Sequence, residues 1–149
     1  MEDMELNNKI VAEDLSFIFN ALSESEKLNL KNSNILITGC AGFLGFYICN
    51  FFLMYAKELN IKSVIGTDIF LLGKKPKWLE SLSKNNEIFS LYEHDIIKDN
   101  IELTLNKSEN ITHVIHMASI ASPTYYRKYP VETIEGNIWG LKNLLEYFK

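Results

Sequence analysis

The run Ile35-Leu36-Ile37 passes straight into Thr38-Gly39-Cys40-Ala41-Gly42-Phe43-Leu44-Gly45, and an apolar strand that ends in a Gly-x-x-Gly-x-x-Gly turn leaves few folds open. The first glycine lets the chain turn sharply out of a strand. The second, having no Cβ, lets backbone approach an anion, and the third permits close packing of helix on strand. Behind the turn, residues 43–56 are apolar almost all round, as expected of a helix buried against a sheet. The stretch is shorter than the roughly 20 apolar residues that span a bilayer, and its aromatics fall at the spacing of core packing. A helix that begins near Gly42 directs its unpaired N–H groups and positive dipole end back at the turn. Strand, turn and helix in this order are the context in which Gly39, Ala41, Gly42, Phe43, Leu44 and Gly45 read as a cradle for a dinucleotide pyrophosphate.

Lys62-Ser63-Val64-Ile65-Gly66-Thr67-Asp68 reads as a second strand that ends in an acid. Asp68 follows Gly45 by roughly the 20 residues expected of the group that binds the adenosine ribose. A carboxylate there accepts hydrogen bonds from both ribose hydroxyls and repels an added 2′-phosphate, which favours NAD over NADP. The alternative is a plain turn residue. Lys74, Lys75 and Lys77 could hold that extra phosphate, or serve only as solvated loop charges.

At 149 residues with 47% apolar content, the chain is the size of one domain and can bury a real core. A net charge of −4 and the lack of a basic stripe argue against nucleic acid; the expected partner is a small molecule, with no membrane segment. Cys40 and Cys49 have no ligand-like spacing, so no metal is expected, and both read as reduced thiols of a cytoplasmic protein. Cys40 sits in the turn for backbone geometry rather than as a nucleophile. The first residues carry Glu2, Asp3 and Glu5 and lack the apolar core of a signal peptide.

Ile10, Val11, Leu15, Ile18, Phe19, Leu22 and Leu28 recur mostly three and four apart, which predicts an amphipathic helix over 9–28. We divide the chain into an N-terminal helical extension, 1–32, appended to a nucleotide-binding unit, 33–149. After Asp68 a loop to Pro76, a short helix around 78–83, a strand over 87–93, a short helix over 100–107 and a strand over 111–116 are expected. A loop over 117–129 then leads to a long helix opening at Pro130, where a missing N–H is no loss. Such alternation predicts an α/β fold with a doubly wound parallel sheet of the Rossmann type, preceded by an added helix. Ligands of such sheets sit beyond the carboxyl ends of the strands, where Gly39, Asp68, Asp95 and Ala118 all fall.

These motifs together resemble the extended short-chain dehydrogenases, the NAD-dependent sugar-nucleotide epimerases, dehydratases and decarboxylases. The glycine turn, the acid ending strand two, Asp95-Ile96 after strand three and His116-Met117-Ala118-Ser119 after strand four fall in family order over about residues 33–149. The resemblance implies that Asp95 bonds the adenine amino group and Ile96 packs on its ring, while Met117, Ala118 and Ser119 run beside the phosphates and ribose. A helix cap is the alternative for Asp95. His116 reads as structural, because His113 and His116 point to opposite faces of a strand.

Within the family, Ala121-Ser122-Pro123, the later tyrosines, Pro130-Val131-Glu132-Thr133-Ile134 and Asn137 look most like UDP-glucuronate decarboxylases, with Leu141 in place of the family's usual threonine. Ser122, Pro123 and Tyr126 would then border a sugar-nucleotide pocket, UDP-sugars being favoured, and Asn137 would help hold a water beside the catalytic lysine or else cap or pack its helix. Such enzymes use NAD to oxidise the sugar at C4, through a tyrosine whose pKa is lowered by a lysine four residues on. Tyr47, Tyr55, Tyr92, Tyr125, Tyr126 and Tyr129 are followed at that distance by Phe51, Leu59, Ile96, Tyr129, Pro130 and Thr133. No catalytic residue is therefore assigned in this chain, which reads as the NAD-binding, N-terminal part of a sugar-nucleotide enzyme; a non-catalytic dinucleotide-binding sensor or scaffold is the alternative. A homodimer through the 130–149 helix is a further expectation.

Overall fold

The computed structural model describes residues 9–71, 75–105 and 110–149. Lys74 of the basic cluster, the charged first eight residues and the end of the expected 100–107 helix lie outside the described residues. Strands β1 (Asn34–Thr38), β2 (Ser63–Asp68), β3 (Phe89–Glu93) and β4 (His113–His116) form one parallel sheet in the order β3-β2-β1-β4. The order runs outward from β1 to β3 and then returns to the far side of β1. A crevice therefore opens between the carboxyl ends of β1 and β4, the switch point where such sheets bind ligands. Register aligns the exits: Thr38 pairs with both Thr67 and His116, and Asp68 pairs with Glu93.

Both faces of the sheet are covered, as a parallel sheet requires. Ile35, Ile37 and Val64 point into a core with Phe46, Cys49 and Phe52 of α3 (Phe43–Met54) and Leu79 and Leu82 of α4 (Lys77–Asn85). Leu36 and Ile65 alternate to the other face, where they meet Ile96, Ile101 of α5 (Ile101–Thr104), Leu105 and Leu144 of α8 (Leu141–Tyr147). That alternation is the period-two geometry of a strand expressed as two separate cores.

Three expectations need correction. The helix expected over 9–28 is two helices, α1 (Lys9–Ala21) and α2 (Glu24–Asn29). Ser23 interrupts them with a capping box: its hydroxyl accepts from the Glu26 N–H at 3.3 Å, and the Glu26 carboxylate accepts from the Ser23 N–H at 2.8 Å. The Ser-x-x-Glu signal outweighs the apolar spacing, and Leu28 ends 59% exposed. Nor is α1 an appendage, since Val11 and Leu15 lie in the main core at 3% and 1% exposure and Phe19 stacks on Tyr55 with centroids 4.1 Å apart. Finally, the expected 117–129 loop contains α6 (Pro123–Lys128), opened by Ser122 and a proline at the first helical position, the device read correctly at Pro130. From Pro130 the backbone is helical to Tyr147 as expected, through α7 (Pro130–Glu135), a π turn (Gly136–Gly140) and α8.

Candidate functional site

The three glycines do different jobs. Gly39 has φ +70°, and a Cβ there would stand 2.7 Å from the Ala118 nitrogen and the Met117 carbonyl. Glycine is needed both for the left-handed turn and for the close pass of the chain leaving β4. A Cβ on Gly45 would overlap the Cys40 carbonyl, so this glycine seats α3 against the turn. Gly42 differs, because its Cβ would meet only the Gly39 oxygen, at 3.4 Å. Packing within the protein does not demand glycine there.

Gly42 is also the N-cap of α3, and no side chain caps that helix. The first-turn amides of Phe43, Leu44 and Gly45 are those an α-helix leaves without intrahelical partners, while Phe43 and Leu44 are 60% and 61% exposed. A bare helix start with an uncrowded glycine beside it fits a pyrophosphate, whose charge would meet the amides and the positive end of the dipole.

Asp68 is tied to this turn. One carboxylate oxygen accepts from the Ala41 N–H at 3.0 Å and the other from the Phe70 N–H at 2.9 Å. A carboxylate has about four lone-pair sites, so capacity remains for ribose hydroxyls. Thr38 ties the other side. Its buried hydroxyl accepts from the Met117 and Ala118 N–H groups at 3.2 and 3.3 Å and lies 2.7 Å from His116 Nδ1. The Met117 N–H also donates to the Thr38 carbonyl at 3.0 Å, and the direction of the hydroxyl–Nδ1 bond follows the imidazole tautomer. Burial holds the His116 pKa below the ordinary value. His113 bonds Thr112 instead, as expected for opposite strand faces, and His116 is a structural partner of the crevice. Thr38 is the crevice residue that sequence reasoning passed over, although it stands directly before Gly39.

Beyond β3, Asp95 Oδ1 accepts from the Ile97 N–H at 3.0 Å, and the Asp99 carboxylate accepts from the Asp95 N–H at 2.7 Å. Asp95 thus shapes a local turn, with Lys98 3.2 Å from its other oxygen. Ile96 is 6% exposed and belongs to the second core rather than standing open as a flat face. Asn137 donates to Ser119 Oγ at 3.0 Å and to the Thr133 carbonyl at 2.7 Å, joining one expected site residue to another. Ser122 and Pro123 open α6 and Tyr126 is 39% exposed on it. No hydrogen bond joins these three side chains to the glycine turn among the described residues.

Cys40 and Cys49 are free and fully buried. Burial drives both thiols strongly toward the neutral form, Cys49 to about 12 and Cys40 higher, which removes Cys40 as a nucleophile.

Sheet order, switch point and uncapped glycine turn define the amino-terminal half of a Rossmann-type nucleotide-binding fold. Residues 36–149 match the sequence model of the family described as GDP-mannose 4,6 dehydratase, and the chain belongs to this family of extended short-chain dehydrogenases. UDP-glucuronic acid decarboxylase 6 of Arabidopsis thaliana is 30% identical over 124 residues, 81% of this chain and 32% of that protein. UDP-glucuronic acid decarboxylase 1 of Danio rerio is 30% identical over 127 residues, covering 83% and 25%. A crystal structure of UDP-glucose-4-epimerase from Stenotrophomonas maltophila, with bound NAD and formylated UDP-arabinopyranose, superposes with TM-score 0.60 at 23% identity, covering 76% of this chain and 32% of that one. The chain thus spans about a quarter to a third of the length of these relatives.

Proposed function

We propose that this chain is the NAD-binding portion of a sugar-nucleotide decarboxylase, a lyase of the UDP-glucuronate type working in the cytoplasm. One observation carries the reading: a glycine turn whose middle glycine is uncrowded, at an uncapped helix start, with Asp68 bonded to the same turn. In this reading the amides of Phe43, Leu44 and Gly45 take the pyrophosphate, Asp68 the adenosine ribose, and Asp95 the adenine amino group. Met117, Ala118 and Ser119 run beside the phosphates and ribose, with Asn137 fixing Ser119. Ser122, Pro123 and Tyr126 face the UDP-sugar. NAD, when bound, takes up and returns the hydride of sugar C4. The protein's own contribution is to bind the cofactor, orient it and discriminate at the ribose. The helical run from Pro130 presents Ile134, Ile138 and Leu145, each more than half exposed, which supports a homodimer through this run.

Calorimetric titration of the 149-residue chain with NAD and with NADP tests the reading. NAD is expected to bind more tightly, through Asp68. Tighter binding of NADP would overturn Asp68's role, and no binding of either would overturn the function.

A further inference from the structure

Gly140 and Asn143, neighbours on one helix face at a spacing of three, both meet the segment after β3. Gly140 is buried, and a Cβ there would stand 2.7 Å from Ile96 Cγ2 and 3.2 Å from Cγ1. The Ile96 side chain occupies the notch that the missing Cβ leaves. Asn143 donates its side-chain amide to the Ile96 carbonyl at 3.0 Å and to the Ile97 carbonyl at 3.4 Å. Asparagine is a poor residue for a helix interior because its amide competes for nearby backbone. Here the amide is turned outward to another segment instead, which gives the residue a tertiary task.

The carbonyls it holds belong to the turn that aims Asp95, since the next link in that turn is the Ile97 N–H donating to Asp95 Oδ1. The turn leaves β3, an edge strand of the described sheet. Its own ion pair, Lys98 with Asp95, puts a lysine that is 79% exposed against the carboxylate, and exposed pairs hold little. His94, bonded to Thr104 at 2.8 Å, anchors the turn's start, and Asn143 with Gly140 anchors its middle.

We propose that Asn143 and Gly140 are positioning residues for the adenine end of the bound dinucleotide, acting through the Asp95–Ile97 turn. The inference rests on the NAD reading above. It assigns to the C-terminal helix a share in cofactor recognition that its own side chains do not make by contact. Loosening the clamp frees Asp95 from the place where it meets the adenine amino group, while the glycine turn and Asp68 remain in position.

The test compares the affinity of the 149-residue chain for NAD and for etheno-NAD, whose fused ring blocks the adenine amino group. The unaltered chain is expected to prefer NAD. Asn143→Leu, close in size but without donors, should lower NAD affinity about tenfold and leave etheno-NAD nearly unchanged, so that the preference disappears. Asn143→Gln, which keeps an amide, should recover part of it. Gly140→Ala, which displaces Ile96 and leaves Asn143 intact, should act like Asn143→Leu and carries the comparison if that variant unfolds. Equal weakening of both ligands, or of neither, would overturn the positioning role. Failure of the unaltered chain to bind NAD would overturn the reading of the site, and the positioning role with it.

Discussion

Gly42 separates folding from binding at a single residue. Gly39 and Gly45 are fixed by the protein's own backbone, at Met117–Ala118 and at Cys40, so replacing either disturbs the fold itself. Gly42 meets only the Gly39 oxygen, at the edge of ordinary contact. Gly42→Ala should therefore leave the thermal midpoint nearly unchanged while weakening NAD by about tenfold, or about 1.4 kcal/mol. A large loss of stability would place its role in the fold. His116 and His94 make a second prediction. Burial lowers both pKa values from the ordinary 6.5, so the unfolded chain takes up protons at a higher pH than the native one. Their contribution is complete above about pH 6.5 and is lost as the pH falls from there toward the folded pKa values. Chemical denaturation at several pH values should show stability declining on acidification through that window, and His116→Asn should flatten the decline.

At the scale of elements, the sequence spoke through periodicity and punctuation. β1 was legible as the apolar run Ile35 to Ile37, β2 as Val64-Ile65 leading to an acid, and α3 because Gly42 marks the helix start. α6 was missed although Ser122-Pro123 is the same punctuation as Pro130, because the polar stretch Thr124 to Lys128 has no apolar stripe and buries no residue. Apolar spacing could not show whether the first helix stands apart or joins the core, since that depends on a partner distant in the chain. Leu15 settles it at 1% exposure beside α3. Leu15→Ala should cost about 2–5 kcal/mol by urea denaturation, against less than about 0.5 kcal/mol for the exposed Phe17→Ala. A cost for Leu15→Ala as small as that for Phe17→Ala would contradict the packing of α1.

Across the molecule, parallel strands in register bring four separated segments to one edge: the glycine turn, Asp68, the Asp95 turn and the stretch from Met117. The order of strands and helices made that edge legible, as did the residues standing on it. The ties between segments were not legible, because Thr38 to Ala118, Asp68 to Ala41 and Asn143 to Ile96 join residues remote in sequence. The first two ties join the glycine turn to the Met117 stretch and to Asp68, the third holds the Asp95 turn to α8, and the His94 N–H on the Asp68 carbonyl at 3.0 Å links that turn to Asp68. A single cradle of four loops is the central claim. Hydrogen exchange of the 149-residue chain with and without NAD tests it most directly. The amides of Phe43 to Gly45, Ile96 to Ile97 and Ala118 to Ser119 should exchange more slowly with NAD bound, while those of α1 stay unchanged. Protection confined to other segments, or none at saturating NAD, would contradict it.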